Sequence, residues 1–139
     1  MIMRSRVTKF LRFSSILFLC SNLSNAQIIK DTKLGYMKKY AYCNCVFINN
    51  SKLDKNYLND SFQIGDKSTN LLIDLGKISN FQSEKIRQYI EKTTEKFTAF
   101  ESEYYSEKGK SNTITAMCLD FYESKELDSF IKKIMSKKK

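Results

Sequence analysis

The apolar residues of this chain recur at intervals of three and four, and no proline interrupts them. Proline would break a helix interior, and glycine, which weakens one, occurs only at positions 35, 65, 76 and 109. No clear run of alternating apolar and polar residues marks a strand. The pattern therefore predicts an all-α protein, a small bundle of four to five helices.

The spacing predicts helices over residues 32–49, 59–77, 83–107, 113–123 and 125–135. Residues 52–60 are polar and fit either a loop or an early turn of the second helix. Gly76 and Gly109 are expected to end the second and third helices, and Ser124 to cap the last one. The third helix would then be about 36 Å long. The inward faces are expected to carry Leu34, Met37, Ala41, Cys45, Ile48, Phe62, Leu71, Leu72, Leu75, Ile86, Ile90, Thr93, Phe97, Phe100, Tyr104, Ile114, Met117, Cys118, Phe121, Leu127, Phe130, Ile131 and Ile134.

Residues 1–26 have the composition of a secretory signal peptide. A positive start precedes an apolar run at 13–23, and small residues lead up to a cut after Ala26. The apolar run is about half the ~20 residues of a membrane span, so no stable membrane anchor is expected. Cys20 does not fit a lipoprotein signal, because Leu19 stands where a small residue is needed. The alternative to a cleaved signal peptide is a buried N-terminal helix.

The predicted organisation is a leader at 1–26, one helical domain at 27–136 and a basic tail at 137–139, with the mature protein outside the cytoplasm. Loss of the leader removes four basic and no acidic residues, so the net charge falls from +9 to +5. Three of those charges belong to the lysine tail. No basic stripe remains, and nucleic acid is therefore not an expected partner.

Three cysteines remain after cleavage, and an oxidising compartment favours a disulfide. Cys43 and Cys45 are too close along a helix for an unstrained direct bridge, so one of them is expected to pair with Cys118. Cys45 shares a helical face with Ala41 and Ile48, which favours Cys45–Cys118. Cys43 is the alternative partner.

The chain contains no histidine, which excludes the nucleophile systems in which imidazole carries the proton and the usual zinc sites. No glycine-rich phosphate loop is present, and neither a metal nor another cofactor is expected. Two carboxylate pairs, Asp120 with Glu123 and Glu101 with Glu103, leave a glycosidase-type enzyme as a weaker alternative. Their spacing is also that of an ordinary solvated helix face.

Two tyrosines, Tyr104 and Tyr105, precede a polar stretch at 106–112 that contains Gly109. Exposed tyrosine beside a polar loop is typical of a protein-binding surface. The alternative is that Tyr104 closes the core and Tyr105 is an ordinary surface residue.

Two segments resemble immunity proteins of the type VI secretion system, in the group that neutralises the family-four amidase effector. Tyr40-Ala41 followed by Cys45 matches an aromatic-Ala-x-x-x-Cys pattern. Residues 118–127 match the more specific pattern Cys-Leu-Asp-x-Tyr-x-Ser-x-x-Leu. Cys43 is a departure. We expect the C-terminal pattern to be structural, with Leu119 and Phe121 in the core.

The resemblance implies a helical periplasmic protein, often a homodimer, without catalytic activity. Its partner would be an NlpC/P60-like amidase that cuts peptidoglycan stem peptides, and the immunity protein would insert a loop into the cleft of that enzyme. A periplasmic structural or chaperone-like protein without a toxin partner is the alternative. The residues expected to contact the effector are Tyr104, Tyr105, Ser106, Glu107, Lys108, Gly109, Lys110, Ser111 and Asn112.

Overall fold

A computed structural model describes residues 32–102 and 111–136, with side chains for 32–100 and 111–136. The helices are α1 (Lys33–Leu53), α2 (Ser61–Gly65), α3 (Ser68–Gly76), α4 (Asn80–Thr93), α5 (Ile114–Glu123) and α6 (Lys125–Ser136), with 3₁₀ turns at Lys55–Asn59 and Phe97–Ala99. The short strands β1 (Glu101–Ser102) and β2 (Ser111–Asn112) pair antiparallel. The all-α prediction is confirmed, while the predicted leader and tail lie outside the described residues.

Helix α1 is the central element, because α3, α4, α5 and α6 all pack against it. Thr32 caps its start, where Oγ1 accepts a hydrogen bond from the N–H of Gly35 at 3.2 Å. One broad face of the helix is buried, as steps of three and four predict. That face carries Met37, Tyr40, Ala41, Asn44, Cys45, Ile48 and Asn49.

A disulfide joins α1 to α5 through Cys45 and Cys118, whose Cα atoms lie 5.8 Å apart. Both cysteines are fully buried in the core, whereas Cys43 is half-buried with a free thiol. The preferred pairing is confirmed, and Cys43 is not the partner. The pairing follows from helical geometry, since Cys43 lies on a different face of α1 from Cys45.

The single helix predicted at 59–77 is wrong, because aspartates divide this stretch into a 3₁₀ turn, α2 and α3. Asp60 Oδ1 accepts hydrogen bonds from the N–H groups of Phe62 and Gln63, and Asp66 Oδ1 accepts one from Ser68. Each aspartate has extended backbone angles, so a helix cannot continue through it. Phe62, Leu71 and Leu75, expected in the core, are exposed; Leu72 is half-buried against it.

The third predicted helix starts earlier and ends much sooner than expected. A capping box starts α4, in which the Ser79 hydroxyl accepts from the Gln82 N–H and the Gln82 side chain accepts from the Ser79 N–H. The helix has 14 residues and is about 21 Å long. Beyond it, Phe97 is half-buried, whereas Thr93 and Phe100, expected in the core, are exposed. Tyr104 lies outside the described residues.

A buried hydrogen-bond chain lies at the end of α4. Thr94 is fully buried, and its hydroxyl donates to the carbonyl of Ile90 at 2.8 Å. The same hydroxyl accepts from Asn49 Nδ2 at 2.9 Å, and that nitrogen also donates to the carbonyl of Cys45. The tertiary contact with α1 therefore gives the buried Thr94 hydroxyl both a donor and an acceptor, whereas Asn49 Oδ1 has no partner among the described residues.

The two C-terminal helices follow the prediction closely. Ser124 begins α6, since its hydroxyl accepts from the N–H of Leu127 at 3.2 Å. Leu127, Ile131 and Ile134 are buried against the rest of the core. Phe130 is half-buried and stacks on Tyr89 of α4, with ring centroids 3.9 Å apart.

Gly76 ends α3, as predicted, and also allows α3 to approach α1 closely. The left-handed residue that follows the helix is Lys77, with φ of 46°. A Cβ atom added at Gly76 would lie 2.7 Å from the Cβ of Tyr36 and 3.1 Å from Cγ1 of Ile78. Only glycine therefore fits at this contact without movement of the backbone.

Reduction of Cys45–Cys118 is expected to lower the free energy of unfolding by roughly 4 kcal/mol, because the unfolded chain gains the freedom of a long loop. The bonded residues are 73 positions apart. Urea titrations with and without dithiothreitol measure the change. Cys43→Ser is the matched control and should preserve the difference between oxidised and reduced protein. Equal midpoints for oxidised and reduced wild type would contradict the prediction.

Gly76→Ala is expected to destabilise the protein by about 1–3 kcal/mol, because the new methyl group clashes with the backbone-proximal Cβ of Tyr36. Thermal unfolding followed by circular dichroism measures the loss. Gly65→Ala is the matched control, since a Cβ there meets no atom within 4 Å. It should be neutral or stabilise α2 slightly. Similar melting temperatures for the two variants would refute the packing role of Gly76.

Candidate functional site

Of the nine residues predicted to contact an effector, the structure describes Ser111 and Asn112, which form β2. Tyr104, Tyr105, Ser106, Glu107, Lys108, Gly109 and Lys110 lie outside the described residues. β2 pairs with β1 in the register Glu101 to Asn112 and Ser102 to Ser111. The two ends of residues 103–110 are therefore held side by side.

Residues before β1 and after β2 anchor the strand pair to the core. Asn112 Oδ1 accepts a hydrogen bond from the N–H of Ile114 at 3.2 Å, and Ile114 is fully buried at the start of α5. One turn later, Cys118 makes the disulfide to α1. Before β1, Phe97 packs half-buried against the core from the 3₁₀ turn. Tertiary contacts thus hold in place the two strands that flank residues 103–110 in the sequence.

An exposed aromatic side chain lies next to this base. Phe100 directly precedes β1 and exposes 59% of its surface. The helical pattern had placed it in the core, but the chain leaves the helical path after Thr93 and turns the side chain outward. Phe100 therefore places exposed apolar surface directly before the strand pair.

The C-terminal sequence pattern is mostly structural, as expected. Cys118, Phe121 and Leu127 are buried, and Ser124 caps α6. Leu119 is the exception, because it is 48% exposed and does not pack in the core as predicted. It follows Cys118 on α5, and with Cys118 and Phe121 turned inward its side chain points away from the core.

Tyr122, from the same pattern, supports the contact between α1 and the C-terminal helices. It meets Tyr42 edge to face, with centroids 6.2 Å apart, and the Lys38 ammonium lies 5.1 Å from its ring centroid. Lys38 also approaches Asp128 of α6 at 3.5 Å. A hydrogen bond from Lys132 at 2.6 Å is the main reason that the pKa of Asp128 is lowered.

The carboxylate pair considered for catalysis, Asp120 with Glu123, is exposed on α5. Their position is that of an ordinary solvated helix face. The side chain of Glu101 and all of Glu103 lie outside what the structure describes. Across the described ranges, no cluster of three or more cysteine and acidic side chains could hold a metal ion.

A groove of about 540 Å³, which the sequence interpretation missed, opens between α1, α3 and α4. The helix α1 lines it with Tyr40, Cys43, Asn44 and Phe47, whose spacing places them on one helical face. The recurrence of aromatic and polar residues at positions 36, 40, 43 and 47 is the sequence signal for this second face of α1. The spacing alone did not show that the neighbouring helices would leave this face of α1 partly uncovered.

Polar side chains surround the groove. Gln63 of α2, Thr69 and Asn70 of α3, and Arg87 of α4 contribute to its lining. Burial raises the pKa of the Cys43 thiol, and the nearby Asp66 carboxylate raises it further. Burial likewise raises the pKa of the Tyr40 hydroxyl, against the opposing charge of Arg87. The groove therefore combines an aromatic lining with hydrogen-bonding groups and a cation.

None of the helices in residues 32–102 and 111–136 has both the length and the apolar character that a membrane crossing requires.

Comparison with known proteins identifies the family. A family model described as "Tai4: Type VI secretion system (T6SS), amidase immunity protein" matches residues 35–131. Searches of curated proteins and of solved structures return no significant match. The matched range begins in α1, includes both disulfide cysteines and the strand pair, and ends within α6. The chain therefore belongs to the Tai4 family of type VI secretion system amidase immunity proteins.

Proposed function

We propose that this protein is an exported, non-enzymatic immunity protein that binds a peptidoglycan amidase effector of the type VI secretion system. In this proposal residues 104–112 enter the active-site cleft of the amidase and exclude its substrate. The observation that carries the proposal is the match of residues 35–131 to the amidase immunity family. The geometry of the strand pair supports the choice of segment.

The paired strands favour tight binding by a short connecting segment. A segment with free ends loses much conformational entropy when a partner orders it. Here β1 and β2 already hold both ends of residues 103–110 together, and Ile114 and Cys118 fix β2 relative to the core. Folding therefore already removes part of the conformational entropy that this segment would otherwise lose when it binds a partner.

The composition of the segment suits a protein interface. Tyr104 and Tyr105 offer large amphipathic side chains, which are frequent among residues that dominate binding energy. Glu107, Lys108 and Lys110 add charges of both signs. Phe100 supplies exposed apolar surface next to the base of the segment.

The proposed location is the periplasm, reached through cleavage of the leader at 1–26. A buried disulfide between α1 and α5 supports this location, because such bonds persist in oxidising compartments. We also propose that two copies associate, as the resemblance implies. Leu58, Phe62 and Ile64 expose apolar surface that a second copy can cover.

Export is expected to yield a mature chain that begins at Gln27, because residues 24–26 have the small side chains of a cleavage site. Mass spectrometry of protein from the periplasmic fraction, without reduction, measures both the start of the chain and the disulfide. Ala26→Arg is expected to block cleavage, and Ala26→Ser to preserve it. Recovery of the full-length chain with reduced cysteines from the cytoplasm would contradict the proposed location.

Replacement of residues 104–110 by a Gly-Ser segment of equal length should weaken binding to the cognate amidase by roughly a hundredfold or more, because it removes two tyrosines that can anchor the interface. The strands and the disulfide remain in this variant. Isothermal titration calorimetry measures affinity, and hydrolysis of peptidoglycan measures inhibition.

The matched control replaces exposed Thr115 and Ala116, which lie on α5 just beyond β2, by serine. This control should keep full affinity, and both variants should keep the wild-type melting temperature. Unchanged affinity in the Gly-Ser variant would remove residues 104–110 from the proposed interface.

A further inference from the structure

We propose that Asn49 and Thr94 are positioning residues: their buried contact stops α4 and thereby sets where β1 lies against β2. Because the strand pair flanks the segment assigned above to the amidase, the role of this contact in binding rests on the proposed function. The stop of α4 is a property of this chain alone and is measurable without the amidase.

The residues around the end of α4 do not themselves explain why the helix stops. No glycine or proline lies between Gly76 and Gly109, so the usual helix breakers are absent from this stretch of sequence. Thr93 lies within α4, and Thr94, which has the same side chain, lies just beyond it. The two differ in their surroundings, because Thr93 is exposed whereas Thr94 is fully buried. The position of the stop therefore points to a tertiary contact.

Thr94 is held in a conformation that leaves the helical path. Its backbone angles are φ of −105° and ψ of 15°. Its N–H and its hydroxyl both donate to the carbonyl of Ile90, at 2.9 Å and 2.8 Å. A threonine hydroxyl that bonds to the carbonyl four residues earlier tends to bend a helix. The same hydroxyl accepts from Asn49 Nδ2 at 2.9 Å, and this bond holds it against α1.

Asn49 connects this helix end to the disulfide. It is fully buried on α1, one turn after Cys45, and its Nδ2 donates to the Cys45 carbonyl at 2.9 Å. The same nitrogen lies 3.7 Å from the Cys45 sulfur, which is bonded to Cys118 of α5. Consecutive turns of α1 therefore hold the end of α4 and the helix that follows β2.

Short connections carry this placement to the strands. The Thr94 carbonyl accepts from the N–H of Phe97 at 3.0 Å, and the 3₁₀ turn that starts at Phe97 leads to β1. Phe97 itself packs against the core. On the other side, α5 begins directly after β2. A different stop for α4 would therefore displace β1 relative to β2.

The contact is not optimised for stability, which favours a positioning role. Asn49 Oδ1 is buried and has no hydrogen-bond partner among the described residues. A buried polar atom without a partner lowers the free energy of unfolding, and a leucine of similar size would not incur this loss. Buried polar groups can instead specify one arrangement of the chain among several that would pack equally well.

The combined variant Asn49→Leu with Thr94→Val tests the stop of α4 in the full chain. Both side chains keep nearly their original size, and replacing both hydrogen-bonding partners by apolar groups should leave the melting temperature equal or higher. We expect the Cα chemical shifts of residues 95–99 to move to helical values in nuclear magnetic resonance spectra. Amide hydrogen exchange in residues 101–102 and 111–112 should become at least roughly tenfold faster, because the strands lose their fixed placement.

Two further variants separate positioning from packing. Thr94→Ser removes a methyl group but keeps the hydroxyl, so it should lower the melting temperature and keep the wild-type shifts and exchange rates. Asn44→Leu is the matched control on α1, because Asn44 is also buried and its Nδ2 makes the same kind of bond, at 2.9 Å, to the carbonyl of Tyr40. It should leave the shifts of residues 95–99 and the exchange of both strands unchanged.

Helical shifts and faster exchange in the combined variant, with wild-type values in Thr94→Ser and Asn44→Leu, support the proposal. Wild-type shifts and exchange in a folded combined variant overturn it. If the combined variant does not fold, Thr94→Val is compared with Thr94→Ser. A change in Thr94→Val alone then supports the proposal, and equal shifts and exchange rates in the two overturn it.

Calorimetry with the amidase tests the role of this contact in binding. The combined variant should bind about tenfold more weakly without a loss in melting temperature, because a displaced strand pair must be reordered on binding. Wild-type affinity together with faster exchange overturns the positioning role in binding and leaves the proposed function standing. If the wild-type chain does not bind the amidase, the proposed function fails, and the shifts and exchange rates still decide whether Asn49 and Thr94 stop α4.

Discussion

The disulfide between Cys45 and Cys118 is the constraint on which the arrangement of this domain depends. It joins the central helix α1 to α5, and α5 begins directly after the strand pair. Around it, Met37, Ile86, Ile90 and Ile114 are fully buried. The bond therefore stabilises the core by restricting the unfolded chain, and it also holds α5, which begins directly after β2, against α1.

The periphery depends on a different interaction. Between Leu53 and Ser68, the chain forms a 3₁₀ turn and α2, neither of which contains a buried residue. Side chains of Asp54, Asp60 and Asp66 hold this stretch by accepting backbone N–H groups. Because local hydrogen bonds rather than core burial form these turns, apolar side chains such as Phe62 stay exposed and the groove beside α1 stays open.

Where a strong local signal and core burial agree, the sequence predicts the structure well. Ser124 caps α6, Gly76 ends α3, and the cysteine on the face of Ala41 and Ile48 forms the disulfide. The helices predicted at 59–77 and 83–107 were both too long, because periodic apolar residues continued past positions that stop a helix. Asp60 and Asp66 interrupt the helix predicted at 59–77, because each caps a new turn. The Asn49–Thr94 hydrogen bond lies where α4 ends, well before residue 107.

Residue spacing along the chain was enough to predict the helical class and the C-terminal helices. It favoured Cys45–Cys118 but left Cys43 open as the partner of Cys118, and the family resemblance rested on two short sequence patterns. The packed structure was needed to show that Phe100 and Leu119 face outward, that β1 and β2 bring the ends of residues 103–110 together, and that a groove opens beside Cys43. These features depend on how distant segments pack on α1, and the spacing of residues along one helix does not specify which of its faces a neighbouring helix will cover.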